Sequence, residues 1–387
     1  MAKNILFVIN SLPYPLYKDG ITLINYRILE KAPTDYRFHI VSFSESDEFT
    51  KEKLSKLFPQ IIQISCIGSS KHLSDLINLI SYVLLGRRIF SSKYKDYICN
   101  IDLDSFDLIY FCAPPSPLYF RKISSKTPIF LNAVDSFSLL NERFYLYHKT
   151  LFFKLKKWLY MHAEKKCFSE ASIVNFVSEI DRKYIFEKLK SNNIISITNG
   201  VDLNYFSFNN DNRDEKSILF VGNYNYKPNV EAVIHFVNKI FPILKKRHNG
   251  LKFYIVGINP PFNFCSNDII VTGFVKNVKE YYQRCTLFVS PLTTGSGIKN
   301  KILEAMASGI PVVSTSIGAD GINGLVTSQN IEIANDSNEM INKIDLLLKN
   351  SKLRHILSKN GRLLMETYYS WDSIISQYYQ TFESLKK

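Results

Sequence analysis

The segment SPLTTGSGIKNKILEAMASGI, which begins at Ser290, combines residue types that could bind a diphosphate. Gly295 and Gly297 permit positive φ angles and let a ligand approach the backbone closely. A helix is predicted to begin near Ile298, and the free amide groups and dipole of a helix start attract anions. Lys299 adds a positive charge in the first turn. The segment therefore predicts a phosphate or diphosphate site, with a merely flexible turn as the simpler alternative.

Glu304 lies on the same predicted helix, seven residues after Gly297. That spacing corresponds to two helical turns, or roughly 10 Å along the axis. Because its neighbours are apolar or small, a solvated helix face explains this carboxylate poorly. A carboxylate about one nucleoside length from an anion site could hold the diol of a ribose. The alternative is a structural ion pair with Lys301, three residues away.

Two common nucleotide motifs are excluded. No Gly-Lys-Ser/Thr follows the loop, and Asn300 occupies the place of the third glycine in a dinucleotide fingerprint. No Asp-x-Asp element stands at the end of a predicted strand, since IDLDS at residue 101 precedes the strand DLIYFC. We therefore expect no resident metal and no cofactor, since the helix start and the lysines can themselves hold a diphosphate.

The elements that must position these residues indicate an α/β protein of two domains. Nine short apolar runs without polar alternation, from ILFVI at residue 5 to PVVSTS at residue 311, are typical of parallel strands covered on both faces. The series restarts after a polar stretch, 197–217, that is typical of a linker. At 387 residues, two doubly wound domains are expected. We place them at 1–198, joined by a C-terminal helix over 370–387, and at 199–369.

The formal net charge of +13 favours an anionic partner. Residues 141–168 hold seven Lys or Arg against two Glu, interleaved with eight aromatic residues. Such a helix could lie on an anionic membrane surface, or it could pack in a core with a solvated basic face. No nucleic-acid recognition motif accompanies the charge, so nucleic acid is not expected as a partner.

The six cysteines form no CxxC pair, and no apolar run is long enough to cross a bilayer. These features favour a cytoplasmic location, with peripheral attachment to the inner face of the membrane if 141–168 binds lipid.

Five motifs together give a specific resemblance: GSGIKNKILEAMASGIPVVST, FVGNYNYKPNVEAVIHF from Phe220, TGFVKNVKEYY from Thr272, VSEIDRKYI from Val177 and ITNGVDLNYF from Ile197. The combination resembles glycosyltransferase family 4, the retaining glycosyl transferases group 1 with the GT-B fold. The resemblance implies two Rossmann-like domains that face a central cleft, a nucleotide-sugar donor linked to UDP or GDP, and a C-terminal domain that binds this donor.

The resemblance also implies roles for individual residues. Glu304 would hold the ribose, and Gly20 would approach the phosphates from the N-terminal domain. The backbone near Phe274 and Val275 would contact the base. The diphosphate would be lined by Gly222, Asn223, Lys227 and Lys299.

The sequence departs from the family pattern at three places. Many members carry a second Glu at the position of Ser296, so backbone groups of the GSGI run, residues 295–298, are expected to contact the sugar instead. An Arg common in the first C-terminal loop is Asn223 here. The family's N-terminal His has no equivalent, and Asp135 is our candidate for a polar group in its place, with a helix N-cap as the alternative.

The resemblance implies a retaining hexosyltransferase-like enzyme, with Asp135, Lys299 and Glu304 as catalytic candidates. A glycan or a lipid-linked saccharide would be the acceptor, in the synthesis of a bacterial surface polysaccharide such as capsule, O-antigen or exopolysaccharide. The alternatives are a nucleotide-sugar epimerase of the same fold and a non-catalytic partner subunit.

Overall fold

The computed structural model describes residues 2–15, 20–68, 79–80, 83, 97, 100–112, 126–209, 213–214, 216–295 and 297–385. The chain divides into two compact units. Unit 1 comprises Met1–Thr198 and Ile374–Lys387, and unit 2 comprises Asn199–Ser373. Each unit is built on its own parallel sheet, so the predicted α/β class is confirmed.

Unit 1 alternates strands and helices, as expected of a doubly wound sheet. In chain order its described elements are β1 (Lys3–Ile9), α1 (Gly20–Glu30), β2 (Tyr36–Ser42), α2 (Glu48–Leu57), β3 (Ile61–Cys66), β4 (Leu108–Cys112), β5 (Ile129–Val134), α3 (Phe137–His148), α4 (Leu151–Phe168), β6 (Ile173–Phe176), α5 (Glu179–Leu189) and β7 (Ile194–Ser196).

The seven strands follow the order β3-β2-β1-β4-β5-β6-β7, and every neighbouring pair is parallel. Strands β4 and β5 are buried along their whole length, which explains their unbroken apolar sequences. The edge strands β3 and β7 were not predicted. The first exposes two of its six residues, and the second is only three residues long.

Unit 2 begins with a segment that was expected to be a linker. That expectation is wrong in part, because Phe206 is buried and packs edge-on against Tyr282, with ring centroids 5.7 Å apart. The described elements that follow are β8 (Ser217–Asn223), α6 (Lys227–His235), a π-helical turn (Phe236–Ile240), α7 (Phe241–Arg247), β9 (Lys252–Ile258), β10 (Ile269–Gly273), α8 (Lys279–Arg284), β11 (Leu287–Ser290), α9 (Asn300–Ala307), β12 (Val312–Ser314), β13 (Glu332–Ile333), α10 (Ser337–Lys349) and α11 (Ser351–Tyr368).

The second sheet has the order β10-β9-β8-β11-β12-β13, again with parallel neighbours. The strands β8, β9, β11 and β12 match the apolar runs of the sequence. Strands β10 and β13 were missed because one is partly exposed and the other spans two residues.

The last helix, α12 (Trp371–Ser384), starts in unit 2 and continues in unit 1 from Ile374. In unit 1 the hydroxyl of Tyr378 accepts hydrogen bonds from Nδ2 of Asn132 (3.3 Å) and of Asn175 (3.1 Å). Asn132 also donates to Tyr110 (3.0 Å), and all four of these side chains are buried. Buried amides need such partners. The sheet of unit 1 therefore contains polar groups that α12 satisfies.

None of the described helices is both long and apolar enough to span a bilayer. Of the described cysteines, Cys112, Cys167 and Cys285 are buried, whereas Cys265 is exposed. Cys99 lies outside the described residues.

We expect Tyr378→Phe to lower the free energy of unfolding by about 1–2 kcal/mol, because two buried amides lose an acceptor. For a unit of this size, that loss corresponds to a fall in Tm of about 2–8 °C. Tyr368→Phe is the matched control, since Tyr368 is exposed at the end of α11. Thermal unfolding followed by circular dichroism measures both. Equal Tm values for the two variants would contradict the assigned role of Tyr378.

Candidate functional site

The candidate site lies at the carboxyl ends of β8 and β11, which are neighbours in the sheet of unit 2. Strand β9 lies on the far side of β8, and β12 lies on the far side of β11. The chain connections therefore leave these two central strands in opposite directions. In doubly wound sheets this reversal opens a crevice that binds ligands. The loops 224–226 and 291–299, which lead into α6 and α9, border that crevice.

The glycine loop brings Lys299 close to Tyr226. Gly295 and Gly297 have φ angles of +133° and +67°, which glycine adopts readily. A Cβ atom on Gly295 would lie 3.3 Å from the Tyr226 hydroxyl and 3.5 Å from Cε of Lys299. Nζ of Lys299 donates to the carbonyl of Gly297 at 2.6 Å. The loop thus holds an ammonium, itself mostly buried, beside the start of α9.

Helix α9 begins two residues later than predicted. Lys299 occupies the N-cap with an extended backbone (φ −100°, ψ 93°), so Asn300 is the first helical residue and Lys299 is not in the first turn. Ile298 is buried in the loop. Ser296 lies outside the described residues.

Glu304 and Tyr282 form a hydrogen-bonded pair beside α9. The Tyr282 hydroxyl donates to Oε2 of Glu304 at 2.9 Å and to the carbonyl of Lys301 at 3.3 Å. Burial raises the pKa of Glu304 to about 7, although the bond from Tyr282 and the charge of Lys301 favour the carboxylate. A carboxyl group with such a pKa can change protonation state near neutral pH when a ligand binds.

The ammonium of Lys301 has a hydrogen-bond partner other than Glu304, so the structural ion pair considered as the alternative for Glu304 is reduced to an interaction between the two charges. Among the described residues, the Lys301 ammonium donates to Oδ1 of Asn229 at 2.6 Å and lies 4.2 Å from the ring centroid of Phe220. Burial, and then the charge of Lys299, lower the pKa of Lys301 to about 7. Lys301 therefore ties α9 to the first turns of α6.

Asn229 connects Lys301 to the end of β8. Its Nδ2 atom donates to the carbonyl of Asn223 at 2.8 Å, and a Cβ atom on Gly222 would lie 3.0 Å from that nitrogen. Gly222 is therefore the residue that leaves room for Asn229. Asn229 could have been noticed from the sequence, because it is a polar residue on the apolar face of α6 that also holds Ala232 and Val233. No comparable feature of the sequence pointed to Tyr282.

Lys227 stands at the mouth of the crevice as the first residue of α6. Its ammonium lies 3.4 Å from Oε1 of Glu231, and Thr294 of the glycine loop donates to Oε2 of Glu231 at 3.5 Å. The side chain of Lys227 is 62% exposed. It is therefore a cation that can turn toward an incoming anion.

Two of the predicted donor-binding residues lie farther along the sheet edge. Phe274 and Val275 directly follow β10, which is separated from β8 by β9. Phe274 is 70% exposed and Val275 is half-buried. The exposed ring is available to a ligand.

The other two predicted residues belong to unit 1. Gly20 is the first residue of α1, and the four residues before it lie outside the described part of the chain. Asp135 follows β5 directly, but Ser136 is the N-cap of α3, with its Oγ accepting from the amide of Leu139 at 3.1 Å. The N-cap alternative for Asp135 is therefore wrong.

Two buried carboxylates cover the start of α3 beside Asp135. Oε1 of Glu164 accepts from the amide of Phe137 at 2.7 Å, and Oδ1 of Asp181 accepts from the amide of Ser136 at 2.8 Å. Burial raises the pKa of Glu164 to about 7. Within the described part of the chain, no group of three or more His, Cys, Asp or Glu side chains could hold a metal ion.

Comparisons with known proteins relate the chain to glycosyltransferases. Residues 215–350 match the family model described as Glycosyl transferases group 1. The capsular polysaccharide biosynthesis glycosyltransferase CapM of Staphylococcus aureus is 22% identical over 383 residues, covering 88% of this chain and 96% of CapM. Both units therefore have a counterpart in a curated relative.

Two solved structures share the fold. Sucrose-phosphate synthase of Thermosynechococcus elongatus aligns with a TM-score of 0.74 at 16% identity, over 99% of each chain. HepE of Anabaena, solved in complex with UDP, aligns with a TM-score of 0.71 at 15% identity, over 98% of this chain and all of HepE. The chain has the GT-B fold and is a glycosyltransferase, and residues 215–350 of its unit 2 match the group 1 model.

Asn229→Ala is expected to reduce the free energy of unfolding by about 2–4 kcal/mol, because it leaves the ammonium of Lys301 and the carbonyl of Asn223 without this partner. Asn225→Ala is the matched control, since Asn225 is exposed one turn away. Adding Lys301→Met to Asn229→Ala should restore part of the loss by removing the buried charge. Urea unfolding of the wild type, the two single variants and the double variant measures the cycle. If the losses in free energy of unfolding of the two single variants simply add in the double variant, Asn229 and Lys301 are not coupled.

Proposed function

We propose that the enzyme transfers a sugar, with retention of configuration, from a nucleotide sugar to a glycan or lipid-linked acceptor. The observation that carries the proposal is the arrangement of α9. A partly buried carboxyl, Glu304, lies one turn beyond the first residue of this helix, and Lys299 with two positive-φ glycines lies before it. That order of groups fits the ribose and the diphosphate of one nucleotide.

Each part of the donor would contact different residues. The diphosphate would lie at the start of α9 between Lys299 and Lys227, near Gly222, Asn223 and the backbone of 295–298. Glu304 would accept hydrogen bonds from the ribose hydroxyls, and Phe274 and Val275 would contact the base. Gly20, Asp135 and the remainder of unit 1 are assigned to the phosphates, the donor sugar and the acceptor by resemblance alone.

The proposed chemistry is the one that the family resemblance implies. The bond between the anomeric carbon and the diphosphate oxygen breaks, the acceptor oxygen bonds to the same face of the sugar, and the acceptor proton passes to the departing diphosphate. Fixed cations and the amides of a helix start stabilise the negative charge that develops on the diphosphate. No metal is needed in this scheme.

The biological setting is also a proposal. The printed name of CapM associates that relative with capsular polysaccharide, and HepE was solved with UDP. These names support a UDP-linked donor, with GDP as the alternative, and a role in surface polysaccharide synthesis. A location at the cytoplasmic face of the membrane is part of the proposal and rests on the sequence alone.

We expect Glu304→Ala to weaken UDP binding by about 10- to 100-fold, since a charge-assisted hydrogen bond contributes about 1.5–3 kcal/mol. Glu280→Ala, an exposed glutamate of α8, is the matched control. Thermal shifts with UDP, GDP, ADP and their sugar conjugates identify the nucleotide, and titration calorimetry then gives the affinities. Unchanged affinity in a folded Glu304→Ala protein would overturn the site. Conversion of the donor sugar in the absence of an acceptor would indicate an epimerase. Binding of the nucleotide sugar without any turnover would indicate a non-catalytic subunit.

The pH dependence of nucleotide affinity tests the same carboxyl. Below its pKa of about 7, Glu304 is protonated and accepts hydrogen bonds weakly, so UDP affinity should rise as pH increases through 7. Lys301 titrates in the same range and would act on the diphosphate, so the ratio of UDP to 2′-deoxy-UDP affinity isolates the ribose contact.

The ratio of the two affinities should change with pH as Glu304 titrates. Tyr282→Phe should move the pH midpoint of this change to a higher value, because the Glu304 carboxylate loses a hydrogen-bond donor. A ratio that is independent of pH in both proteins would show that Glu304 does not contact the ribose.

A further inference from the structure

Six large apolar side chains are exposed where α3 ends and α4 begins. We call this set the hairpin surface: Leu146, Tyr147, Leu151, Phe152, Leu155 and Trp158. Leu151 is 78% exposed and Leu146 is 66% exposed. Residues 151, 155 and 158 follow the spacing of one helix face. Leu151, Leu155 and Trp158 therefore form one exposed apolar stripe along α4, and the other three side chains lie close to it in the sequence.

Another part of α4 already makes the contacts that the fold requires. Leu159, Ala163, Cys167 and Phe168 are buried, and Leu159 and Ala163 pack against Leu79 and Val83. The stripe is not part of these core clusters. Since contiguous exposed apolar patches mark interaction sites, the hairpin surface is a candidate for contact with a partner.

The charges around the stripe are positive. Lys149 and Lys154 are exposed in the same segment, and Nζ of Lys156 lies 4.8 Å from the ring centroid of Phe152. The two acidic residues of 141–168 do not neutralise these lysines. Glu142 pairs with Lys157 at 2.7 Å, and Glu164 is buried at the start of α3. The outward charge of the hairpin therefore matches an anionic partner.

We propose that the hairpin surface docks on an anionic lipid bilayer, with the stripe at the boundary between headgroups and acyl chains and the lysines on the lipid headgroups. Leu, Phe and Trp on one face with lysines beside them are the composition of helices that lie in a membrane interface. The cores of protein interfaces are instead depleted in lysine. Lipid therefore fits this surface better than a second protein chain does.

The proposal does not depend on the transferase site, because lipid docking can be measured without donor or acceptor. Trp158 provides the probe, since the chain has two tryptophans and the other, Trp371, is buried in unit 2. The intact protein is mixed with phosphatidylcholine vesicles, with or without phosphatidylglycerol. Tryptophan emission and co-sedimentation are recorded.

We expect a blue shift of the emission and co-sedimentation only with phosphatidylglycerol, weakening as salt is added. Trp158→Phe should abolish the shift but leave most of the binding. Leu151→Ser with Phe152→Ser should abolish binding. Lys154→Gln with Lys156→Gln should weaken it by about 10- to 30-fold, since each lysine near an anionic leaflet strengthens binding by about fivefold.

The control pair is Lys53→Gln with Lys183→Gln, two exposed lysines of unit 1 outside the hairpin, which should leave binding unchanged. Circular dichroism checks that each variant is folded. Three outcomes would overturn the proposal. The first is no binding to anionic vesicles, and the second is equal losses in the hairpin and control pairs. The third is a dimer, seen by light scattering, that Leu151→Ser with Phe152→Ser dissociates while vesicles stay unbound.

Discussion

The hydrogen bond from the buried ammonium of Lys301 to Asn229 is the contact on which the geometry of the crevice between α6 and α9 depends. An ammonium removed from water must find compensating partners, and here they come from α6 and from the ring of Phe220 in β8. Lys301 itself belongs to α9. The two loops that border the crevice are therefore held at a fixed separation by one side chain. Asn229 extends the connection to the backbone of Asn223.

The part of this site that is local in the chain could be predicted from sequence. Gly297, Lys299 and Glu304 lie within eight residues, so one loop and the first turns of α9 keep them near one another. Asn229 and Tyr282 reach the same place from 72 and 22 residues away, and only the strand order of the sheet brings them there. For the same reason the sequence could not show whether Lys301 pairs with Glu304 or with a residue of another helix, and its ammonium donates to Asn229 of α6.

The fold itself was predictable to the extent that its strands are buried on both faces. Central strands such as β4 and β5 give apolar runs that no other element would give. Edge strands such as β3 mix exposed and buried positions, and their sequence then resembles a loop. The start of α9 was misplaced because Lys299 keeps an extended backbone after a left-handed glycine, a feature that residue type alone does not determine.

Helix α3 joins two features of unit 1. Asp135 and the buried carboxylates lie at its start, and the hairpin surface begins at its last turn. Twelve residues of helix span about 18 Å, a distance comparable to half the thickness of a bilayer. If the hairpin surface docks on lipid as proposed, helix α3 would set the distance between Asp135 and the lipid headgroups.

The route of α12 has a consequence for how the chain folds during synthesis. Unit 2 is one uninterrupted stretch, whereas unit 1 is completed only by residues after Ile374. Until Tyr378 leaves the ribosome, Asn132 and Asn175 lack one of their buried acceptors. The half of the protein that is translated first is thus the half that can finish folding last. During translation it would expose the sheet face that α12 later covers, for the whole time that unit 2 takes to emerge.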